Sequence, residues 1–109
     1  MSVFSSQMQQ DKRRHARHAV DLSGVAFFPS GSAHIRVIDL SFGGARIVFP
    51  MHSALYDARD VTSLRIADVL EQRVIWRWSN DRDVGVEFAA PDLVQGAVQR
   101  LIGGVSSDG

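Results

Sequence analysis

The chain has 109 residues, 45% hydrophobic and 22% charged, with 12 basic residues balancing 12 acidic ones. That length allows one domain with one modest core, and the zero net charge excludes a protein that coats nucleic acid through a broad positive surface. The absence of cysteine excludes disulfides, thiolate metal sites and a cysteine nucleophile.

A metal would have to use His15, His18, His34 and His52. His15 and His18 are suitably spaced, but no other close histidine or carboxylate pair completes a set, so no metal is expected. No apolar stretch approaches the ~20 residues that span a bilayer, and Met1 to Gln10 is too polar for a signal peptide. A cytoplasmic protein without membrane insertion is the expectation.

Residues 1–10, rich in Ser and Gln, read as a flexible tail. They lead into a basic arm in which Lys12, Arg13, Arg14 and Arg17 stand with His15 and His18. Eleven of the twelve basic residues are arginine, whose planar fork suits a phosphate or a guanine edge. The pattern Arg13-x-x-x-Arg17 places two guanidinium groups on one side of a helical turn or of an extended arm. The same residues also fit a solvated basic tail.

From Val20 onward, short apolar runs alternate with turn signals, the mark of short strands. Val25 to Phe28 is followed by the Pro29 to Ser32 turn and then by Ile35 to Leu40. Ala45 to Phe49 continues the series, with Ala45, Ile47 and Phe49 on one face. Val61 to Ile66 and Gln72 to Trp78 make a further pair, and alternation puts Val74, Trp76 and Trp78 on one face, opposite Arg73, Ile75 and Arg77. Val84, Val86 and Phe88 share a face of a last strand. Leu93, Val94, Ala97, Val98, Leu101 and Ile102 then recur at helical spacing, with Pro91 and Asp92 suited to a helix start and Gly103-Gly104 to its end. Gly96 inside this helix costs about 1 kcal/mol against alanine, so packing must hold it.

An all-β fold is predicted, a six-stranded antiparallel barrel with a C-terminal helix and a flexible basic N-terminal arm, because closure removes exposed sheet edges. An open sheet with the helix across one face fits the pattern equally. The domain spans residues 11–103 and a short tail spans 104–109.

Asp39-Leu40-Ser41-Phe42-Gly43-Gly44 joins two strands, and its composition demands a turn. Structurally, Asp39 and Ser41 would cap backbone N–H groups while Gly43 or Gly44 supplied a positive φ. Functionally, the Asp39 carboxylate would accept from the N1–H and N2 amino group of a guanine. Ser41 would add a contact, and a glycine would let the base approach the backbone. Arginine would read the O6 and N7 edge. Ser41 and Asp39 have no histidine partner in the turn, which argues against a hydrolase, and no enzymatic activity is expected.

The arm with Arg13-x-x-x-Arg17, the turn Asp39-x-Ser41-x-x-Gly44 and the segment Val84-Gly85-Val86-Glu87-Phe88 before a terminal helix together resemble the PilZ domain family, over Asp11 to Ile102. The resemblance implies a six-stranded barrel that serves bacteria as a cyclic di-GMP receptor, acting in signal transduction through an unidentified effector protein. It implies that Arg13 and Arg17 clamp phosphates and guanine Hoogsteen edges, with Arg14 assisting, and that Asp39, Ser41 and Gly44 cradle a guanine. Trp78 stands where the family sometimes adds an aromatic residue; Trp76 is its rival, and core packing is the competing role for both. Ordering the arm would cost ~1–2 kcal/mol per residue, leaving an affinity of about −8 kcal/mol, in the micromolar range. An adaptor that does not depend on nucleotide is the alternative.

Overall fold

Short apolar strands with tight connections must bury their inner faces against one another, and here they do so by closing on themselves. The computed structural model describes residues 17–50 and 57–106. Six strands run β1 (His18–Phe28), β2 (Gly31–Leu40), β3 (Gly44–Val48), β4 (Ser63–Ile66), β5 (Leu70–Asn80) and β6 (Asp83–Phe88), followed by helix α1 (Pro91–Ser106). They form a closed barrel in the order β1-β2-β3-β6-β5-β4, with β4 pairing back onto β1 and every pair antiparallel. Closure decides between the two arrangements that the hydrophobic pattern allowed.

The core draws on every strand: Ala26 and Phe28, Ile35, Val37 and Leu40, Ile47, Leu64 and Ile66, Leu70 and Val74, and Val84, Val86 and Phe88 are all buried. Helix α1 adds Val94, Val98 and Leu101, a stripe at helical spacing that packs against the barrel through β1 and β5. The helix continues through Gly103 to Ser106 instead of stopping at the glycine pair. Gly103 does not adopt the left-handed backbone of a glycine cap, and helical dihedrals remain open to glycine at a modest cost.

Three strands reach further than the apolar runs suggest. β1 begins at His18, seven residues before Val25: its first half pairs with β2 (His18↔Leu40, Ala19↔Asp39) and sets Val20 and Leu22, half-buried, against the core. β2 begins at Gly31 and leaves only Pro29 and Ser30 in the turn. β5 extends from the buried Leu70 to Asn80, its last four residues being exposed. β4 is shorter than Val61 to Ile66, since a single 3-10 turn at Ala58–Asp60 delivers Val61 to the core before the strand starts.

Bulges reset the alternation of β2 and β5. In β2, Val37 faces Ile47 while Asp39 faces Arg46, so Ile38 is an extra residue. The inward set therefore changes from Ile35 and Val37 to Leu40, and Asp39 turns outward. In β5, Trp76 faces Val86 while Trp78 faces Gly85, so Arg77 is the extra residue. Val74, Trp76 and Trp78 consequently do not share one face, as simple alternation predicted. Trp76 packs against the core and donates its indole N–H to Ser79 Oγ at 2.7 Å, whereas Trp78 lies outside and is 40% exposed.

The β4–β5 hairpin carries local strain. Ala67 and Asp68 both have left-handed backbone, φ 53 and 57, in a turn closed by the Val69 N–H donating to the Ile66 carbonyl at 3.0 Å. An alanine held there loses about 1 kcal/mol relative to glycine. Ala67→Gly should raise unfolding stability by up to about 1 kcal/mol, seen in urea denaturation as a higher midpoint with an unchanged slope.

Candidate functional site

The two outward-turned residues border one open groove of about 590 Å³ on the side of the barrel. Its floor follows a cross-strand row. Ala19 on β1 pairs with Asp39 on β2, Asp39 with Arg46 on β3, Arg46 with Gly85 on β6, and Gly85 with Trp78 on β5. At about 4.8 Å per strand step, the row sets Asp39 and Trp78 roughly 14 Å apart across the groove.

Gly85 is the seat of the tryptophan. A Cβ at this position would meet Trp78 Nε1 at 2.2 Å and Cε2 at 2.4 Å, so the indole lies directly on the bare backbone. Gly44 is needed for a different close approach, because its Cβ would meet the Val86 carbonyl oxygen at 2.2 Å and Glu87 Cα at 3.1 Å. Neither Gly43 nor Gly44 has the positive φ expected of the turn. Gly44 serves the packing of β3 on β6 while leaving open backbone in the groove wall.

Ser41 is 8% exposed and its hydroxyl belongs to the turn. Oγ accepts from the Gly43 and Gly44 N–H groups at 3.2 Å each and donates to the Gly44 carbonyl at 3.3 Å, while the Ser41 N–H donates to that same carbonyl at 2.9 Å. The Phe88 N–H donates to the Gly43 carbonyl at 2.8 Å, tying the turn to β6. Ser41 therefore fixes the loop's shape, as the structural reading of the motif anticipated. Asp39 does not cap the turn as that reading had it: its Oδ2 stands 3.3 Å from Arg17 Nε, and its Oδ1 is buried without a hydrogen-bond partner among the described residues.

Among the described residues three arginines line the groove, and each faces a carboxylate. Arg17, just before β1, pairs with Asp39; Arg46 donates from Nη2 to Asp83 Oδ2 at 2.8 Å; Arg77, on the bulge, stands 3.6 Å from Glu87. Arg46 and Arg77 were not singled out by the sequence reading. Outward parity on β3 next to Asp39 would have flagged Arg46, while Arg77 becomes visible only once the bulge is known. Arg13 and Arg14, with Lys12, His15 and the tail at 1–10, lie outside the described residues, as does His52. Among the described residues no group of three His, Asp or Glu side chains could hold a metal ion, and no helix is long and apolar enough to cross a membrane.

The two glycines should respond differently to a methyl group. Gly85→Ala displaces the end of a flexible side chain, so Trp78 leaves its seat and tryptophan emission shifts to the red with a stability loss under about 1.5 kcal/mol. Gly44→Ala strikes a backbone carbonyl and should cost about 1–3 kcal/mol in denaturant unfolding, with a smaller emission change.

Comparison with known proteins adds the family. A solved structure described as an uncharacterized Legionella protein is similar at 15% identity and a TM-score of 0.48, covering 84% of this chain and 90% of that one. No match is found among the curated proteins. The PilZ domain family matches residues 11–104, which takes in the basic arm, the Asp39 to Gly44 turn, the whole barrel and nearly all of α1. With its closed six-strand barrel and terminal helix, the chain belongs to the PilZ domain family.

Proposed function

We propose that this protein is a receptor for cyclic di-GMP that passes the ligand's presence to a partner protein through its arginine arm. The reading rests on family membership and, in the site itself, on the Asp39 carboxylate. Its Oδ1 has no hydrogen-bond partner among the described residues, which suits a ligand that brings N–H donors. A buried acceptor left unpaired costs about 1–3 kcal/mol, and a guanine offering N1–H and N2–H relieves that cost. Trp78, flat on Gly85 and exposed to the groove, offers a stacking face at the other end of the row.

Arg17 gives the arm its part in the switch. It is paired with Asp39, so a guanine that takes the carboxylate releases the guanidinium. The freed Arg17, with Arg13 and Arg14, then turns to the phosphates and guanine Hoogsteen edges, each charge-assisted hydrogen bond contributing ~1.5–3 kcal/mol. Binding thus shifts the arm from one position to another and presents a changed surface to an effector. Catalysis has no part in this reading. The bound base contacts Ser41 only through the turn that Ser41 shapes, and Gly44 through its bare backbone.

Calorimetric titration with cyclic di-GMP, set against GTP and cyclic di-AMP, tests the proposal directly. The tightest binding is expected with the first ligand, at an affinity near micromolar, with weaker binding of the other two and with tryptophan emission changing at the same midpoint. Arg17→Ala and Asp39→Ala should each weaken binding at least about tenfold, or 1.4 kcal/mol. No heat with cyclic di-GMP would leave a nucleotide-independent adaptor as the better account.

A further inference from the structure

Asp39 is not the only groove residue with an unmet atom. Arg46, its partner across the β2–β3 ladder, has Nε buried and without a hydrogen-bond partner among the described residues, while Nη2 is held by Asp83. An unmatched acceptor, Asp39 Oδ1, and an unmatched donor, Arg46 Nε, therefore belong to residues that face each other across one strand spacing of about 4.8 Å in the groove wall. They belong to no common hydrogen bond in the empty barrel.

We propose that Arg46 is a specificity-determining residue, the donor that reads O6 of the guanine whose N1–H and N2–H groups meet Asp39. This rests on the cyclic di-GMP reading above and adds to it a barrel-borne arginine distinct from those of the arm. The edge of guanine runs N2–H donor, N1–H donor, O6 acceptor, and strand neighbours Asp39 and Arg46 supply acceptor and donor in matching order. Adenine has an acceptor at N1 and a donor at N6, so it would set its N1 against the carboxylate and its amino group against the guanidinium. Asp83 acts as the positioning residue: its bond to Nη2 holds the guanidinium in place while Nε has no hydrogen-bond partner among the described residues. Gly85, the other neighbour of Arg46 in the row, has no side chain of its own and seats the Trp78 indole, which puts an aromatic ring beside the guanidinium.

The assignment is tested by titrating wild type, Arg46→Met, Arg46→Gln and Asp83→Asn with cyclic di-GMP and cyclic di-AMP, with unfolding curves to establish that each variant folds. Methionine keeps the stem and loses the donor; glutamine keeps an N–H donor and loses the charge. R46M should lose about tenfold in cyclic di-GMP affinity with no change toward cyclic di-AMP, so that discrimination between the two falls by the same factor. R46Q should stay within about threefold of wild type, and D83N, whose amide oxygen can still accept from Nη2 but without charge, should lose more than R46Q and less than R46M. Equal losses for both ligands in R46M, or equal losses in R46M and R46Q, would make Arg46 a general anion contact or a structural residue and overturn the assignment. If R46M does not fold, R46Q decides: retained preference for guanine supports the donor role, and a tenfold loss sinks it. Wild type that binds cyclic di-GMP while R46M binds it equally well removes Arg46 alone; wild type that binds neither ligand removes the receptor reading and this inference together.

Discussion

A pleated strand changes face at every residue, so one extra residue reverses the destination of every side chain beyond it. The groove of this barrel depends on that reversal happening twice. Without the extra Ile38 in β2, the alternation that buries Ile35 and Val37 would carry the Asp39 carboxylate inward and leave Leu40 outside. Without the extra Arg77 in β5, Trp78 would follow Val74 and Trp76 toward the core. An ionised side chain in a core this small would have to be neutralised or paired, and a second indole would overfill it. The bulges satisfy the core and furnish the groove in one step.

The registry between β3 and β6 joins the two halves. β3 approaches β6 closely enough at Gly44 that no side chain fits there, and from that contact the ladder places Arg46 beside Gly85. The turn from Ser41 to Gly44 is held on the same edge by its own hydroxyl network and by the bond from Phe88 to Gly43. A motif that reads as a ligand loop is thus also the piece that docks two neighbouring strands. Its two polar side chains point different ways: the Ser41 hydroxyl bonds the turn's backbone, and Asp39 lines the groove.

Much of this was legible in the residues. Short apolar runs with intervening turn signals gave the strands, helical spacing from Leu93 to Ile102 gave α1, and the arm, the turn and the Val84 to Phe88 segment carried the family. The parts that were not legible have physical causes. The first half of β1 carries only Val20 and Leu22 among polar residues, both half-buried, so no apolar run marked it as strand. A bulge has no distinct composition in Ile38 or Arg77, so Trp78 was assigned to the face of Trp76. The need for glycine at 85 arises from the Trp78 ring on the neighbouring strand β5, which no local pattern records. Arg46 was one of eleven arginines until the ladder placed it next to Asp39.

The pairing of each groove arginine with its own carboxylate has an electrical consequence. Arg17 with Asp39, Arg46 with Asp83 and Arg77 with Glu87 balance the described charges along the groove wall at short range, in a chain that is neutral as a whole. Each of these guanidinium groups already has a carboxylate partner, so an anion that engages one exchanges an existing ion pair for a new one, and the net gain from charge alone is small.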